Sequence, residues 1–201
     1  ILVVAMTIGL ATSTQAASRE EIANIHVSKA GNFQYWTDNS PAKQALVDYV
    51  KDVTNKKSAN LIPVEDRIAV FDLDGTLICE TTPSYFEWMM YLDRVLDDPT
   101  YNASQEDKEY AKVVKAAIDA RHLPEDMELK EAIAQSKAFA GMTFPEYENY
   151  VKKFMETPAE GLTNLKRGES FYLPMVEVVS YLQANDFTIY IVSGSDRPAL
   201  R

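Results

Sequence analysis

Two aspartates, Asp72 and Asp74, close an apolar run in the stretch FDLDGTL, residues 71–77. Such a run reads as a buried strand, and two negative charges at its end are destabilising unless something answers them. Side chains two apart on an extended segment point the same way, so both carboxylates are expected to face one pocket. Carboxylates that close suppress each other's ionisation unless a cation intervenes. Mg²⁺ favours one or two carboxylates, water and a phosphate oxygen. Beside such a cation one aspartate can attack phosphorus to give an acyl phosphate, while the other protonates the leaving oxygen and then activates water. Gly75 lets the backbone turn sharply, and Thr76 can hold the loop by hydrogen bonds. The competing readings of D-x-D-G are an ordinary turn or a calcium loop. EF-hand spacing is absent, because the twelfth position counted from Asp72 is Pro83 rather than Glu.

The elements that must position these groups follow from the apolar patterning. RIAVFD, 67–72, has the look of a central parallel strand buried on both faces. FTIYIVSGS, 187–195, reads as a second strand that breaks into Ser193 and Gly194. In open α/β sheets ligands bind beyond the carboxyl ends of the strands, where the aspartates and Ser193 both fall. The Ser193 hydroxyl and the amides after it, at a strand-to-helix turn, suit phosphate oxygens. Helices are expected over 41–55, with Pro41 in its first turn and Leu46, Val47, Val50 and Val53 on one face, and over 173–186, with Pro174 near the start. Residues 18–40 read as an extension packed on the domain, with Trp36 placed beside the helical insertion. That insertion, 80–167, reads almost wholly as helix: 85–96, then 104–121 opened by Ser104 with Asp107, then 124–140 opened by Pro124. The last is opened by the capping-box pair Thr143 and Glu146 and ends near 157–158. Four helices make a small bundle, too large for a simple crossover.

The chain of 201 residues carries 30 Asp plus Glu against 20 Lys plus Arg, a formal −10. Such a surface has no general affinity for nucleic acid or anionic lipid. An anionic substrate then needs local positive charge, usually from a divalent cation. Residues 1–17 combine a short apolar run with small residues, Thr14 and Ala16 taking the spacing of a signal-peptidase site. The expectation is a signal peptide truncated at its start, an exported (periplasmic or secreted) protein and no stable membrane insertion after cleavage. The alternative is a buried N-terminal helix or strand. The lone Cys79 has no internal disulfide partner, and neither His26 nor His122 is near it in sequence, so a small buried side chain is expected rather than a nucleophile. Two strands are too few for a stable doubly wound sheet, which sets the expectation that the core continues past Arg201.

Asp72-Leu73-Asp74-Gly75-Thr76 after a strand, Ser193 ending a second strand, and a helical insertion between them resemble the haloacid dehalogenase superfamily. The resemblance covers about 65–201. It implies an α/β fold: a Rossmann-like parallel-sheet core (67–79 and 168–201) with an inserted α-helical cap (80–167), preceded by 18–66. It also implies a Mg²⁺-dependent phosphatase of a small phosphate ester, with Asp72 as nucleophile and metal ligand. Asp74 would be acid/base with its carbonyl on the metal, and Ser193, with Gly194, would hold phosphate. A third-motif Lys and a fourth-motif acidic cluster would lie beyond Arg201, so these 201 residues alone are expected to be inactive. The cap type is that of phosphoserine phosphatases, but Thr81 stands where they place a Glu, with Glu80 one earlier, which argues against phosphoserine. Glu80, Tyr85 and Trp88 are candidate substrate-selecting residues. The stripe Tyr85, Phe86, Trp88, Met89 and Tyr91 is either cap core or a cage for a quaternary ammonium, as in the exported phosphorylcholine phosphatases that the chain loosely resembles. A phosphomutase and a non-catalytic phosphate-binding relative remain as alternatives. A dehalogenase does not need Asp74 as acid.

Overall fold

Each helix begins where the sequence offers its first amides a partner. In the computed structural model, which describes residues 16–81 and 83–200, α1 spans Arg19–Ala23 and α2 spans Pro41–Thr54, capped by the Ser40 side chain. Strand β1 is Ile68–Phe71, and after it come α3 (Phe86–Leu92), α4 (Gln105–Asp119), α5 (Met127–Ala138) and α6 (Phe144–Met155). Ser104 caps α4, and Thr143 with Glu146 forms a reciprocal capping box at α6. Helix α7 (Leu173–Ala184) leads into β2, Thr188–Ile191. Two boundaries differ from the sequence reading. The segment 124–126 is a turn closed by the Met127 amide on the Pro124 carbonyl, so α5 starts later. The 85–96 helix ends as α-helix at Leu92 and passes into a π-helical turn, Asp93–Asp97. Residues 1–15, which carry most of the expected signal segment including Thr14, lie outside the described residues. No helix among the described residues is long and apolar enough to cross a membrane.

The fold is mixed α/β with a small parallel sheet. Strands β1 and β2 pair in parallel from Ile68 opposite Thr188 to Phe71 opposite Ile191, which brings Asp72 and Ser193 to the same end. One face of the sheet, with Ala69, Phe71 and Ile189, packs on Val47, Val50 and Val53 of α2 and Val178, Tyr181 and Leu182 of α7. The other face is open. Ile68, Val70 and Tyr190 are more than half exposed, at 54%, 61% and 53%. The expectation of a strand buried on both faces is therefore corrected: among the described residues only one helical layer covers the sheet.

The N-terminal extension joins this same core. Trp36 donates its indole N–H to the Pro174 carbonyl at 2.9 Å and meets the Phe33 ring edge-on, so it sits on α7 and not beside the helical insertion. Glu177 of α7 is fully buried and accepts the amides of Gln34 and Tyr35, the latter at 2.9 Å. A buried carboxylate thus replaces the strand partner that this extended segment lacks. The helices between β1 and β2 have a separate core built on Met90, Tyr91, Ala111, Val114, Val151 and Phe154. The Arg94 guanidinium is buried beside it, 4.4 Å from the centre of the Tyr101 ring and paired with Asp98.

Replacing Glu177 with Ala leaves two buried amides unmet and is expected to lower the unfolding free energy by about 3 kcal/mol, read by urea denaturation. Glu177→Gln, which keeps one acceptor oxygen, is expected to lose less.

Candidate active site

Beyond Phe71 the backbone leaves the sheet and coils into a tight turn. The Leu77 and Ile78 amides both donate to the Leu73 carbonyl, at 2.8 and 3.0 Å, and the Gly75 amide donates back to Ile78 at 2.9 Å. Buried Leu73 and Leu77 pin the turn from beneath. Gly75 adopts φ +70°, and a Cβ there would meet the Glu80 carboxylate at 2.9–3.1 Å. The return leg is clamped to the start of α7: Cys79 donates to the Ser170 carbonyl and Tyr172 to that of Leu77, each at 2.9 Å. The turn therefore presents the two aspartates from a fixed frame.

Asp72 is exposed, and its Oδ1 accepts the Leu73 amide at 2.8 Å. Asp74 is half-buried. Its Oδ2 accepts the Ser195 hydroxyl at 2.8 Å, while its Oδ1 is buried without a hydrogen-bond partner. Ser195 in turn donates its amide to Ser193 Oγ at 3.0 Å. The loop after β2 continues into the helical layer. The Asp196 amide donates to Glu87 Oε1 of α3 at 3.1 Å, and the Asp196 carboxylate accepts from Tyr147 Oη of α6 and, at 3.5 Å, from Gln135 Nε2 of α5.

These groups border a cavity of about 1070 Å³ between the strand ends and the helical layer. Of the residues singled out in the sequence, Asp72, Asp74, Ser193, Gly194, Tyr85 and Trp88 line it. Gly75 and Thr76 belong to the turn, Thr76 bracing it through its amide on the Leu73 carbonyl at 3.2 Å. Glu80 packs against Gly75 outside the lining, with Oε2 buried and unpartnered. Phe86, Met89 and Tyr91 belong to the helical core, Phe86 stacking edge-on against Phe154. Cys79 is half-buried, its sulfur 3.2 Å from the Thr81 hydroxyl.

Ser195, Asp196, Glu87, Glu131 and Tyr147 also line the cavity, and no motif in the sequence marks them. A signal was present for two of them. Glu87 interrupts the apolar run FEWMMYL, and Glu131 shares the buried face of α5 with Met127 and Ala138. An acid on an apolar helix face is rarely left there without a role. Burial, then the charges of Glu87 and Asp196, push the Glu131 carboxyl up to about 7. Burial likewise raises Glu87, with the Asp74 charge adding to it and the Asp196 amide opposing it.

No cluster of three or more metal-ligating side chains occurs among the described residues. The Asp72–Asp74 pair nevertheless suits Mg²⁺, which binds through one or two carboxylates plus substrate oxygens, since Asp72 is exposed at the cavity with one oxygen engaged by the Leu73 amide. Residues 69–201 match the family profile described as haloacid dehalogenase-like hydrolase, a span that includes both strand ends and all the helices between them. A comparison with curated proteins finds no match.

Two measurements follow from this geometry. Gly75→Ala meets both a left-handed backbone and the Glu80 carboxylate, and is expected to lose at least about 1–2 kcal/mol in urea denaturation. Glu131 keeps a proton in the folded protein over a range where the unfolded chain has released it. The folded state therefore binds more protons between about 4.5 and 7, and this group's contribution to stability falls as pH rises through that window. Glu131→Gln removes the effect: its stability relative to wild type is expected to improve by up to about 3 kcal/mol between acid and mildly alkaline pH.

Proposed function

The chain belongs to the haloacid dehalogenase-like hydrolases, and on that footing we propose that it is a Mg²⁺-dependent phosphomonoester hydrolase acting through a phosphoaspartate on Asp72. The observation that carries this reading is the Ser195–Asp74 hydrogen bond, which joins the two strand ends into one site. Asp72 commits one oxygen to the Leu73 amide, which orients the carboxylate and leaves the other oxygen to attack phosphorus. As that bond forms, the ester P–O bond breaks and the leaving oxygen takes a proton from Asp74. Ser195 donates to Asp74 Oδ2, so the transferable proton belongs on Oδ1, the oxygen with no other partner. A water then returns a proton to Asp74 and attacks phosphorus, which breaks the bond to Asp72 and releases inorganic phosphate. The Ser193 oxygen already accepts the Ser195 amide, so its own hydrogen is free to donate to a phosphate oxygen, beside the Gly194 backbone.

Asp72, through its carboxylate, and Asp74, through its backbone carbonyl, would hold the cation, which when bound supplies positive charge beside the phosphate. No Lys, Arg or His is among the residues lining the cavity in the described chain. The cap-like placement of the helices over the strand ends supports a small ester as substrate. The apolar and small-residue composition of 1–17 supports action in an exported compartment.

The full-length protein is expected to hydrolyse para-nitrophenyl phosphate, and both EDTA and Asp72→Asn to abolish the activity. Asp74→Asn is expected to reduce kcat by about 10²–10⁴-fold. Acid-quenched mass spectrometry should find phosphate on Asp72; undiminished turnover in Asp72→Asn would refute the covalent route.

A further inference from the structure

We propose that the helical side of the cavity is an ammonium subsite centred on Glu131 and Glu87, so that the preferred substrate is the phosphomonoester of an amino alcohol without a carboxylate group. The inference rests on the phosphatase reading above for the reaction, but on different residues for recognition.

Glu131 is 1% exposed, lines the cavity, and has its Oε1 buried without a hydrogen-bond partner. The Tyr91 and Tyr110 hydroxyls feel its charge yet are themselves unpartnered, so neither bonds it. Glu87, 8% exposed, and Asp196 lie close enough to oppose its ionisation. A buried carboxylate without a partner is strongly disfavoured, and it persists at sites that a ligand completes. The lining supplies no cation among the described residues, so an incoming ammonium meets no competing positive side chain there.

The chemistry of the site narrows that ligand. An orphan acceptor needs an N–H donor, which a primary ammonium has and a quaternary ammonium lacks. Trp88 and Tyr147 also line the cavity, and aromatic faces attract a small cation. A carboxylate on the substrate would meet Glu87, Glu131 and Asp196 with no positive side chain to offset the repulsion, which argues against amino-acid phosphates. Ser195 bonds Asp74 and the next residue, Asp196, bonds Glu87, and adjacent Cα atoms are about 3.8 Å apart. Consecutive residues of one loop therefore support both the reacting centre and Glu87.

The test compares kcat/KM of the full-length protein for phosphoethanolamine, propyl phosphate, phosphoserine and phosphocholine, in wild type and Glu131→Gln. Phosphoethanolamine is expected to exceed each of the other three by at least about tenfold, the size of one charged hydrogen bond. In Glu131→Gln its advantage over propyl phosphate should shrink at least about fivefold, on the same scale. Equal values for phosphoethanolamine and propyl phosphate, an advantage undiminished in Glu131→Gln, or a preference for phosphocholine or phosphoserine would each overturn the subsite. Hydrolysis of all four esters without preference overturns it while leaving the phosphatase reading intact. A second readout needs no turnover: ethylammonium chloride should raise the Tm of wild type more than tetramethylammonium chloride does. That result with no ester hydrolysed would sustain the subsite and sink the phosphatase reading, and equal Tm shifts for the two salts would overturn the subsite even if the Gln variant failed to fold.

Discussion

The hydrogen bond from the Ser195 hydroxyl to Asp74 Oδ2 is the contact on which the site depends. It spans the carboxyl ends of two parallel strands whose sequences are far apart. It therefore exists only because β1 and β2 pair in one register, Phe71 opposite Ile191. A slip of one residue would turn Asp72 and Asp74 away from the loop that follows β2 and break the pairing of Ala69 and Ile189 with the helices beneath. The turn through Gly75 and the clamp of residues 170–172 hold one side of that bond, and the Ser195 amide on Ser193 holds the other. Packing of the sheet on α2 and α7 is thus what sets the chemistry's geometry.

The second constraint is electrostatic. The cavity is bordered by Asp72, Asp74, Glu87, Glu131 and Asp196, and no basic side chain is among the described residues that line it. Near the strand ends, on the proposed reading, a divalent cation and its phosphate offset that charge. Deeper, between α3, α5 and α6, burial raises the Glu131 and Glu87 carboxyls, with repulsion from neighbouring acids adding to it. The loop after β2 touches both regions through consecutive residues, Ser195 and Asp196, so the reacting centre and the helical wall share one support.

Much of the frame was legible in the residues because it is written in short-range patterns. Ser40, Ser104 and the Thr143–Glu146 pair announce helix starts, and the two strands stand out as β-branched apolar runs. Patterns of that range do not report what covers a surface. The β1 run looked doubly buried because apolar residues are needed on either face of a sheet, yet Ile68, Val70 and Tyr190 face away from the only helical layer described. The position of Trp36 is hidden for a related reason, since an isolated aromatic in an extension has no periodicity to say which element receives it. Its indole N–H finds the carbonyl of Pro174, on a helix more than a hundred residues later.

By itself the sequence determined that two aspartates stand at a strand end, because the apolar run stops at Phe71; the tight turn that follows is what brings both to the cavity. The sequence likewise placed a glycine where the backbone must turn left-handed, and a serine at the end of the other strand. Only the tertiary structure decided that Ser195 is the residue on Asp74, that Glu80 lies under the turn and outside the cavity, and that Glu87, Glu131 and Tyr147 from three helices line one wall. Those residues are tens of positions apart and carry no common motif. What brings them together is the packing of α3, α5 and α6 around a core of their own, a nonlocal result that no local pattern encodes.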